Sequence, residues 1–336
     1  MSVAYEDLDR AAQIAAMRRH ARNVLAEYPI DVRSLRLVLH GFNTTFRVGT
    51  TTGEQFALRI NVNSHRSPEQ IAAEQEWLAA LASDTGLRVP VPHPNRRGDL
   101  VTAVASTELR RALPSVLTRW LPGRDLGDRA TVRQVRQVGA ALAMLHQHAS
   151  GFRTALDSCL VRSDTVMLDL PDNISARPDL FDEDALEVLR RTEATVNRHL
   201  QSLYSEQVPI LIHQDLHNSN VRSYGDGIAV IDFDDCGLGL PVQDLAVSTY
   251  YLRDNRRKEA ALFEGYATVR TLPGYAPEQF EALVAGRNLL LLNDVLTITT
   301  ADLREMIPRY AHNSVVKLRN WLDTGVYRHD VSGLAE

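Results

Sequence analysis

The chain has 336 residues, of which 44% are hydrophobic and 24% are charged, as in an ordinary globular protein of about two domains. The net charge of −5, without any block of basic residues, argues against a protein that binds nucleic acid or an anionic membrane. The expected partners are small or neutral molecules.

Two features bear on the cellular compartment. The two cysteines, Cys159 and Cys236, lie far apart and lack CxxC spacing, so neither a disulfide framework nor a zinc site is predicted. The N-terminal stretch carries acidic residues, and no run approaches the roughly 18 apolar residues of a membrane span. We expect a cytoplasmic protein.

The first part of the chain predicts short strands and two helices. A helix is expected over 7–27, and β-branched and aromatic runs broken by turn signals predict two or three antiparallel strands within 35–60. A proline in a first-turn position, followed by apolar residues at mainly helical spacing, predicts a helix over 68–82. One more strand, over 114–123, leads into a Pro-Gly pair. Together these elements predict a small, strand-rich lobe.

The rest of the chain predicts mainly helices. Apolar residues three or four apart form a stripe along TVRQVRQVGAALAMLHQH, and 183–205 and much of 256–325 share the pattern. Strands return only as PILIH and IAVIDF, joined through NVRS and the turn YGDG. A small hairpin is therefore expected inside a helical lobe.

These elements predict a bilobal α+β protein. The expected N-terminal lobe, over 1–117, holds a small antiparallel sheet, and a hinge follows at 118–123. The larger C-terminal lobe, over 124–336, is expected to be mainly helical. Neither GxxxxGK[ST] nor GxGxxG occurs, which argues against P-loop and Rossmann proteins.

One stretch carries the candidate chemistry. It fits H-x-D-x-x-x-x-N followed by an apolar strand that ends in Asp, with the residues His213, Asp215, Asn220 and Asp232. A transferring phosphate carries dense negative charge, so a magnesium ion must bridge its oxygens and a carboxylate must orient the acceptor hydroxyl. The pattern predicts that Asp215 is the base or positioning group, and that Asn220 and Asp232 are Mg²⁺ ligands.

Three other interpretations of this stretch stay open. Loop Asp and Asn residues are often only turn formers. In an extended segment His213, Asp215 and His217 point to one side, and with Asp232 they could hold a transition metal for hydrolysis. A pseudoenzyme that binds nucleotide without turnover is the third. The spacing and the following strand favour phosphoryl transfer.

The same motifs resemble a known family. HQDLHNSNV and VIDFDDCGLGLPVQDLA look like the two signatures of the aminoglycoside phosphotransferase and choline kinase-like family, small-molecule relatives of the protein kinases. The spacing after Asp232 also resembles the bacterial stress-response kinase and type II homoserine kinase branches. Gln214 stands where the family usually has Gly. The resemblance implies a bilobal protein-kinase-like fold, with ATP and Mg²⁺ as cofactors and a hydroxyl group as acceptor.

The resemblance also implies a nucleotide site. LHGFNTTFRV looks like the family's loop over the phosphates, in which Asn43, Thr44 and Thr45 offer backbone N–H groups and short side-chain donors. In LTRWLPG, the family pattern places adenine against the main chain of Arg119 and Leu121. Both assignments rest mainly on main-chain groups, which every residue type provides. The identities of the side chains therefore say little about whether the assignments are right.

The cationic clamp of the kinases takes an unusual form here. Arg59 occupies the place of the kinase strand lysine, and no lysine precedes Lys258. An arginine can hold phosphate oxygens with two hydrogen bonds and also pair with a carboxylate. Glu74 is expected to be its helix partner. His213 and Asp244 are expected to be structural supports of the catalytic loop.

The acceptor is not named by any motif. In the family, specificity resides in the C-terminal helices, here around 160–205 and 250–325. A small-molecule hydroxyl is the main expectation, and homoserine or a protein Ser/Thr acceptor is the alternative. Asp234 and Asp235 either face the acceptor pocket or remain solvated.

Overall fold

An antiparallel sheet backed by one helix forms the N-terminal part of the protein. The structure is a computed structural model that describes residues 4–168 and 170–335. Helix α1 (Arg10–Ala26) begins after Asp9, whose carboxylate accepts a hydrogen bond from the Ala12 N–H at 2.8 Å. The sheet has the strand order β1-β2-β3-β5-β4, with β1 (Val32–His40), β2 (Thr44–Thr50), β3 (Gln55–Ile60), β4 (Thr102–Ser106) and β5 (Arg111–Arg119).

The inner face of this sheet packs on α1. Strand β2 alternates buried and half-buried residues, as a sheet with one covered face requires. Its buried Phe46 and Val48 meet Met17 and Val24 of the helix in one apolar core. The predicted strands within 35–60 are confirmed as three, whereas β4 was not predicted because TAVAS is short and carries one β-branched apolar residue.

Helix α2 (Pro68–Asp84) begins at a capping box and packs against the C-terminal half. The Ser67 hydroxyl accepts from the Gln70 N–H at 3.3 Å, and the Gln70 carboxamide accepts from the Ser67 N–H at 2.9 Å. Trp77 is fully buried and meets the Phe233 ring edge-on at 5.4 Å. The helix therefore connects the sheet to the second apolar core.

The C-terminal half is mainly helical, as the periodic stripes predict. Most of its helices pack into one large apolar core. None of the helices within the described ranges combines the length and the apolar character needed to cross a membrane. The helices are α3 (Val132–Gly151), α4 (Glu183–Glu206), α5 (Pro241–Tyr250), α6 (Arg256–Ala267), α7 (Pro277–Val295), α8 (Ala301–Arg304) and α9 (Ile307–Thr324).

Two small sheets hold the predicted catalytic stretch. The first pairs β6 (Arg124–Asp125), β8 (Val221–Tyr224) and β9 (Gly227–Val230), and the second pairs β7 (Ile210–Ile212) with β10 (Gly237–Gly239). The hairpin is β8–β9, but the prediction that PILIH belongs to it is wrong, because that strand pairs with the unpredicted β10. The loop from β7 to β8 and the turn from β9 to β10 thereby meet at one edge.

The segment after α7 bonds the turn between β1 and β2 and the chain just after β3. The Thr300 hydroxyl donates to the Gly41 carbonyl at 2.6 Å, and the Thr299 hydroxyl donates to Asn63 Oδ1 at 2.6 Å. Both threonines follow α7, so the C-terminal half holds the predicted phosphate loop from outside. The lobe boundaries at 117 and 124 stay a prediction, because α2 shares its core with the C-terminal half.

Helices α3 and α6 approach so closely that one glycine has no room for a methyl group. A Cβ on Gly139 would lie 1.9 Å from the Leu262 carbonyl oxygen. We expect Gly139→Ala to lower the free energy of unfolding by about 3 kcal/mol, the upper end of overpacking costs, although alanine favours helices. Denaturant unfolding measures it. Gly86→Ala, which meets nothing within 4 Å, is the control, and equal stability of the two variants would contradict the prediction.

Candidate active site

The catalytic loop is held in place by one fully buried carboxylate. Asp244 lies in the first turn of α5, and its Oδ2 accepts from the His213 N–H at 2.9 Å. Its Oδ1 accepts from the Gln214 N–H at 2.6 Å, and His146 Nε2 lies 2.9 Å from Oδ2. Asp244 and His146 have no exposed surface. The expected supporting position of Asp244 thus rests on three polar contacts inside the core.

The His213 ring is buried, and its two nitrogens bond main-chain groups rather than groups that face the cleft. Its Nδ1 accepts from the Asp215 N–H at 3.3 Å, so its Nε2 donates to the Ile231 carbonyl at 3.2 Å. Burial lowers its pKa, which keeps the ring neutral. Because both nitrogens have partners, His213 has no lone pair for a metal, and the hydrolase interpretation loses one of its ligands.

Asp215 is oriented by three side chains. Asn220 Nδ2 donates to Asp215 Oδ2 at 2.8 Å and to its carbonyl at 2.9 Å, while Arg287 Nη2 donates to Oδ1. His217 Nε2 lies 3.6 Å from Oδ2. Burial alone would raise the pKa of Asp215, but Arg287 and His217 outweigh it and lower the pKa. Asp215 is therefore an ionised carboxylate with a fixed orientation.

Asn220 and Asp232 present free oxygens to the same cleft. Asn220 uses its Nδ2 on Asp215, and its Oδ1 has no hydrogen-bond partner within the described part of the chain. Asp232 has φ +66°, a strained left-handed backbone that is rare outside glycine and turns its side chain outward. The nearby negative charge of Asp234 raises the pKa of Asp232.

These two residues fit a divalent cation. Mg²⁺ prefers hard oxygen ligands and needs only one or two from the protein, since water and phosphate complete its shell. A cation would also relieve the repulsion between the carboxylates of Asp232 and Asp234. Among the described residues, no cluster of three or more His, Cys, Asp or Glu side chains is arranged to hold a metal.

A cavity of about 260 Å³ lies between the sheet and the catalytic loop. Of the predicted nucleotide residues, it is lined by Thr45, Arg59, Glu74, Arg119 and Leu121, together with Asn220 and Asp232. Thr44 does not line it, because successive strand residues face opposite sides. The fully buried Thr44 bonds His40 Nδ1 through its hydroxyl at 2.9 Å, so only its backbone remains for a ligand.

Arg59 and Glu74 form a buried ion pair at the wall of this cavity. Arg59 Nη2 lies 2.6 Å from Glu74 Oε2, and Gln75 Nε2 donates to the other carboxylate oxygen at 2.8 Å. Burial would lower the pKa of Arg59, but Glu74 and Asp234 outweigh it and raise the pKa. Arg59 therefore stays cationic. In the sequence it occupies the position of the kinase lysine.

Two hinge residues, Arg119 and Leu121, line this cavity, and their backbone groups differ in availability. The Arg119 N–H donates to the Val91 carbonyl at 2.8 Å, and the Leu121 carbonyl accepts from Arg222 Nη1 at 2.9 Å. The Leu121 N–H has no partner among residues 4–168 and 170–335. Trp120 lies between Arg47 and Arg222, whose guanidinium carbons are 4.8 and 4.6 Å from its ring.

Sequence reasoning missed Arg66 and Arg287 at the site, and it predicted Asn43 only as a donor of the phosphate loop. Asn43 Nδ2 donates to Asp234 Oδ2 at 2.8 Å, and Arg66 Nη2 donates to the Asp235 carbonyl at 2.7 Å, so both join the two halves across the cleft. Arg287 comes from α7 and is 7% exposed. Its one sequence signal is a charged residue within the apolar run LVAGRNLLLL, which does not reveal its partner.

A second cavity, of about 390 Å³, lies on the other side of Arg287, and Asp294 lines it. Burial raises the pKa of Asp294 to about 6, although Arg287 and Arg66 oppose the shift. The folded state thus binds the proton more tightly than the unfolded state, whose pKa is near 3.8, and stability is lost as the pH rises from about 4 to 6.

We therefore expect Asp294→Asn to raise the free energy of unfolding at pH 8 and to leave it nearly unchanged at pH 4. Denaturant unfolding at the two pH values measures the difference. The control is Asp184→Asn: that exposed carboxylate has its pKa lowered by a hydrogen bond from Arg319, so its loss cannot stabilise the protein at pH 8. If Asp294→Asn raised the free energy of unfolding at both pH values, the argument from the titration of Asp294 would be wrong.

Comparisons with known proteins agree with this geometry. Residues 34–280 match the phosphotransferase enzyme family. A homoserine kinase from Sinorhizobium medicae (strain WSM419) is 29% identical over 211 residues, which is 61% of this chain and 61% of that protein. An amicoumacin kinase from Bacillus subtilis (strain 168) is 23% identical over 236 residues, 69% of this chain and 68% of that protein. This chain thus spans about three fifths of the homoserine kinase.

Solved structures show the same architecture. A microcompartment-associated aminopropanol kinase superposes with a TM-score of 0.75 at 25% identity, covering 93% of this chain and 100% of that one. An amicoumacin kinase in complex with AMP-PNP, Ca²⁺ and Ami has a TM-score of 0.72 at 17% identity, covering 91% and 95%. The predicted bilobal protein-kinase-like α+β fold is confirmed.

Proposed function

The chain belongs to the phosphotransferase enzyme family, which confirms the predicted family and enzyme class, and on this premise we propose that it transfers the γ-phosphate of ATP to a hydroxyl group of a small molecule. One observation carries the proposal. Asp215, Asn220 and Asp232 meet at one edge of the cleft, opposite the buried pair of Arg59 and Glu74. A binding protein without turnover has no need of an oriented, ionised carboxylate at that edge.

Asp215 acts on the acceptor. Its carboxylate is fixed by Asn220 and Arg287, so its remaining lone pairs can accept the hydrogen bond of an acceptor hydroxyl. The hydroxyl oxygen bonds to the γ-phosphorus as the bond to the leaving ADP oxygen breaks, and the hydroxyl proton passes to Asp215. Because proton transfer comes late in a loose transition state, a lowered pKa is acceptable, and positioning supplies most of the rate.

The remaining site residues serve the nucleotide. Asn220 Oδ1 and Asp232 would hold Mg²⁺, which when bound neutralises charge on the phosphate oxygens. Arg59, kept in place by Glu74, would hold phosphate oxygens. These assignments are supported by the cavity that these four residues share and by a relative whose structure holds AMP-PNP and Ca²⁺.

Adenine at the hinge and the phosphates at the phosphate loop are proposed to bind mainly backbone atoms. The free Leu121 N–H would meet adenine, and the main chain of Arg119 flanks it. Thr45 lines the cavity with its side chain, whereas Thr44 offers its backbone alone. The proposal places the enzyme in the cytoplasm, where ATP is abundant and the free thiols of Cys159 and Cys236 persist.

The acceptor is proposed to be small rather than a protein. The cavity lined by Gln214 and Arg287, the chain neighbour and the bonded partner of Asp215, is about 390 Å³, near the lower end of the range of small-molecule sites. The relatives are named as kinases of homoserine, amicoumacin and aminopropanol. A protein Ser/Thr acceptor would need an open groove along this edge.

Coupled ADP release tests the function. The protein is incubated with ATP and Mg²⁺ against separate pools of homoserine, choline, aminoglycosides, sugars, nucleosides and a Ser/Thr-rich protein. We expect one small-molecule pool to stimulate ADP release, EDTA to abolish it, and mass spectrometry to find a phosphorylated acceptor. ATP binding with no pool above the acceptor-free rate would instead identify a pseudoenzyme.

A further inference from the structure

A cavity of about 390 Å³, called the acceptor cavity below, is lined by Arg66, Gln214, Asp235, Arg287 and Asp294 among others. Arg287 connects it to the chemistry, because its guanidinium is bonded to Asp215 and is part of the cavity wall. Gln214, which precedes Asp215 in the chain, also lines the cavity, so the cavity adjoins the loop that carries Asp215.

Two buried donors in this wall lack partners. Arg287 is 7% exposed and donates to Asp215 and, at 3.2 Å, to the Tyr251 hydroxyl, yet its Nε–H has no partner among the described residues. Gln214 is 8% exposed, and its Nε2 likewise has none there. Buried donors without acceptors are costly, and both side chains line the acceptor cavity, so a bound ligand that carries acceptor oxygens would relieve this cost.

The backbone of Gln214 supports the same conclusion. Its φ is +65°, in the left-handed region that glycine adopts freely and other residues rarely adopt. The chain therefore tolerates strain at this position while the side chain lies in the acceptor cavity. Strain that is kept at a cleft is a sign of function, here of a contact that glycine cannot make.

Two carboxylates line the same cavity, those of Asp235 and Asp294. Neither carboxylate group accepts a hydrogen bond from any described residue. Burial raises their pKa values to about 7 and about 6, although Arg287 and Arg66 act in the opposite direction on both. A ligand ammonium group would satisfy these carboxylates.

We propose that the acceptor cavity takes a small zwitterionic hydroxyl compound, whose carboxylate binds Arg287 and Gln214, whose ammonium group binds Asp235 and Asp294, and whose hydroxyl lies at Asp215. The inference rests on the proposed function and names its acceptor class. A purely cationic amino alcohol or an aminoglycoside would leave both donors unpaired. A hydroxy acid without an amine would leave both carboxylates unpaired.

Four probe compounds of similar size separate these classes. L-Homoserine carries both charges, 4-hydroxybutyrate only the carboxylate, 3-amino-1-propanol only the ammonium group, and 1,4-butanediol neither. With ATP and Mg²⁺, we expect kcat/KM for L-homoserine to exceed that for each singly charged compound by at least tenfold, about the value of one hydrogen bond to a charged group. Calorimetry with AMP-PNP and Mg²⁺ should give the same order of affinities.

Two variants test the assigned residues. Arg287→Gln removes a partner of Asp215, so kcat should fall for every acceptor, but kcat/KM for L-homoserine should fall at least tenfold more than kcat/KM for 3-amino-1-propanol, a difference that general damage to Asp215 does not produce. Gln214→Gly removes the strain, so it should fold at least as stably as the wild type and still bind L-homoserine more weakly. The control is Arg190→Gln, which removes an exposed arginine of α4 paired with Glu187.

The possible outcomes distinguish a failure of the zwitterion proposal from a failure of the proposed kinase function. Phosphorylation of 3-amino-1-propanol or an aminoglycoside with a kcat/KM equal to or above that for L-homoserine would overturn the inference and leave the kinase activity established. An undiminished preference for L-homoserine in both variants would overturn the residue assignment. Bound AMP-PNP with no ADP release for any compound, including the acceptor pools above, would overturn both proposals.

Discussion

Asp215→Asn is expected to lower kcat by about 10²–10⁴-fold, the usual contribution of a general base. The amide keeps the size of the carboxylate and can keep the hydrogen bond from Asn220, but it loses the charge that takes the proton and that pairs with Arg287. Coupled ADP release with the acceptor identified above measures the change, and affinity for AMP-PNP should stay within a few-fold.

Two controls accompany this variant. Asp226→Asn, in the exposed turn between β8 and β9, should retain wild-type turnover. Thermal unfolding of Asp215→Asn shows whether the unpaired Arg287 has destabilised the fold. A folded Asp215→Asn protein with wild-type kcat would show that the mechanism is wrong.

Asp244→Ala is expected to lower the free energy of unfolding by about 3–5 kcal/mol, the cost of removing one partner from a buried charged contact. The His213 and Gln214 N–H groups would lose their acceptor, and His146 would lose its carboxylate, all without exposure to water. Denaturant unfolding measures the loss. Turnover should fall as well, because the catalytic loop is no longer held.

Two further substitutions test whether the loss of stability comes from the buried contacts of Asp244. Asp244→Asn keeps an acceptor for one backbone N–H and should fall between the wild type and alanine. Asp128→Ala, at an exposed position, should change stability by less than about 0.5 kcal/mol. If Asp244→Ala were as stable as Asp128→Ala, the buried contacts would not hold the loop.

The catalytic set could be predicted from the sequence because its members are close in the chain and chemically distinctive. Asp215 and Asn220 are five residues apart on one loop, and Asp232 follows a single hairpin, so local spacing carries their geometry. The long helices α3 and α4 were predictable for a similar reason, since an apolar stripe repeats along each of them.

Other features depend on contacts between distant parts of the chain. Strand β7 pairs with β10 rather than with the adjacent hairpin, a choice that only the packed core decides. The alternation of a strand indicates that Thr44 and Thr45 face opposite sides, but not which one meets the cavity. Arg287 reaches Asp215 across 72 residues of chain.

The sequence by itself thus determined the enzyme family, the bilobal fold and the residues proposed for phosphoryl transfer, because spacing and residue type carry that information locally. Only the tertiary structure decided the character of the acceptor cavity. It brings Arg287, Gln214, Asp235 and Asp294 to the wall of one cavity, and the charge of a cavity depends on which helices and loops pack around it.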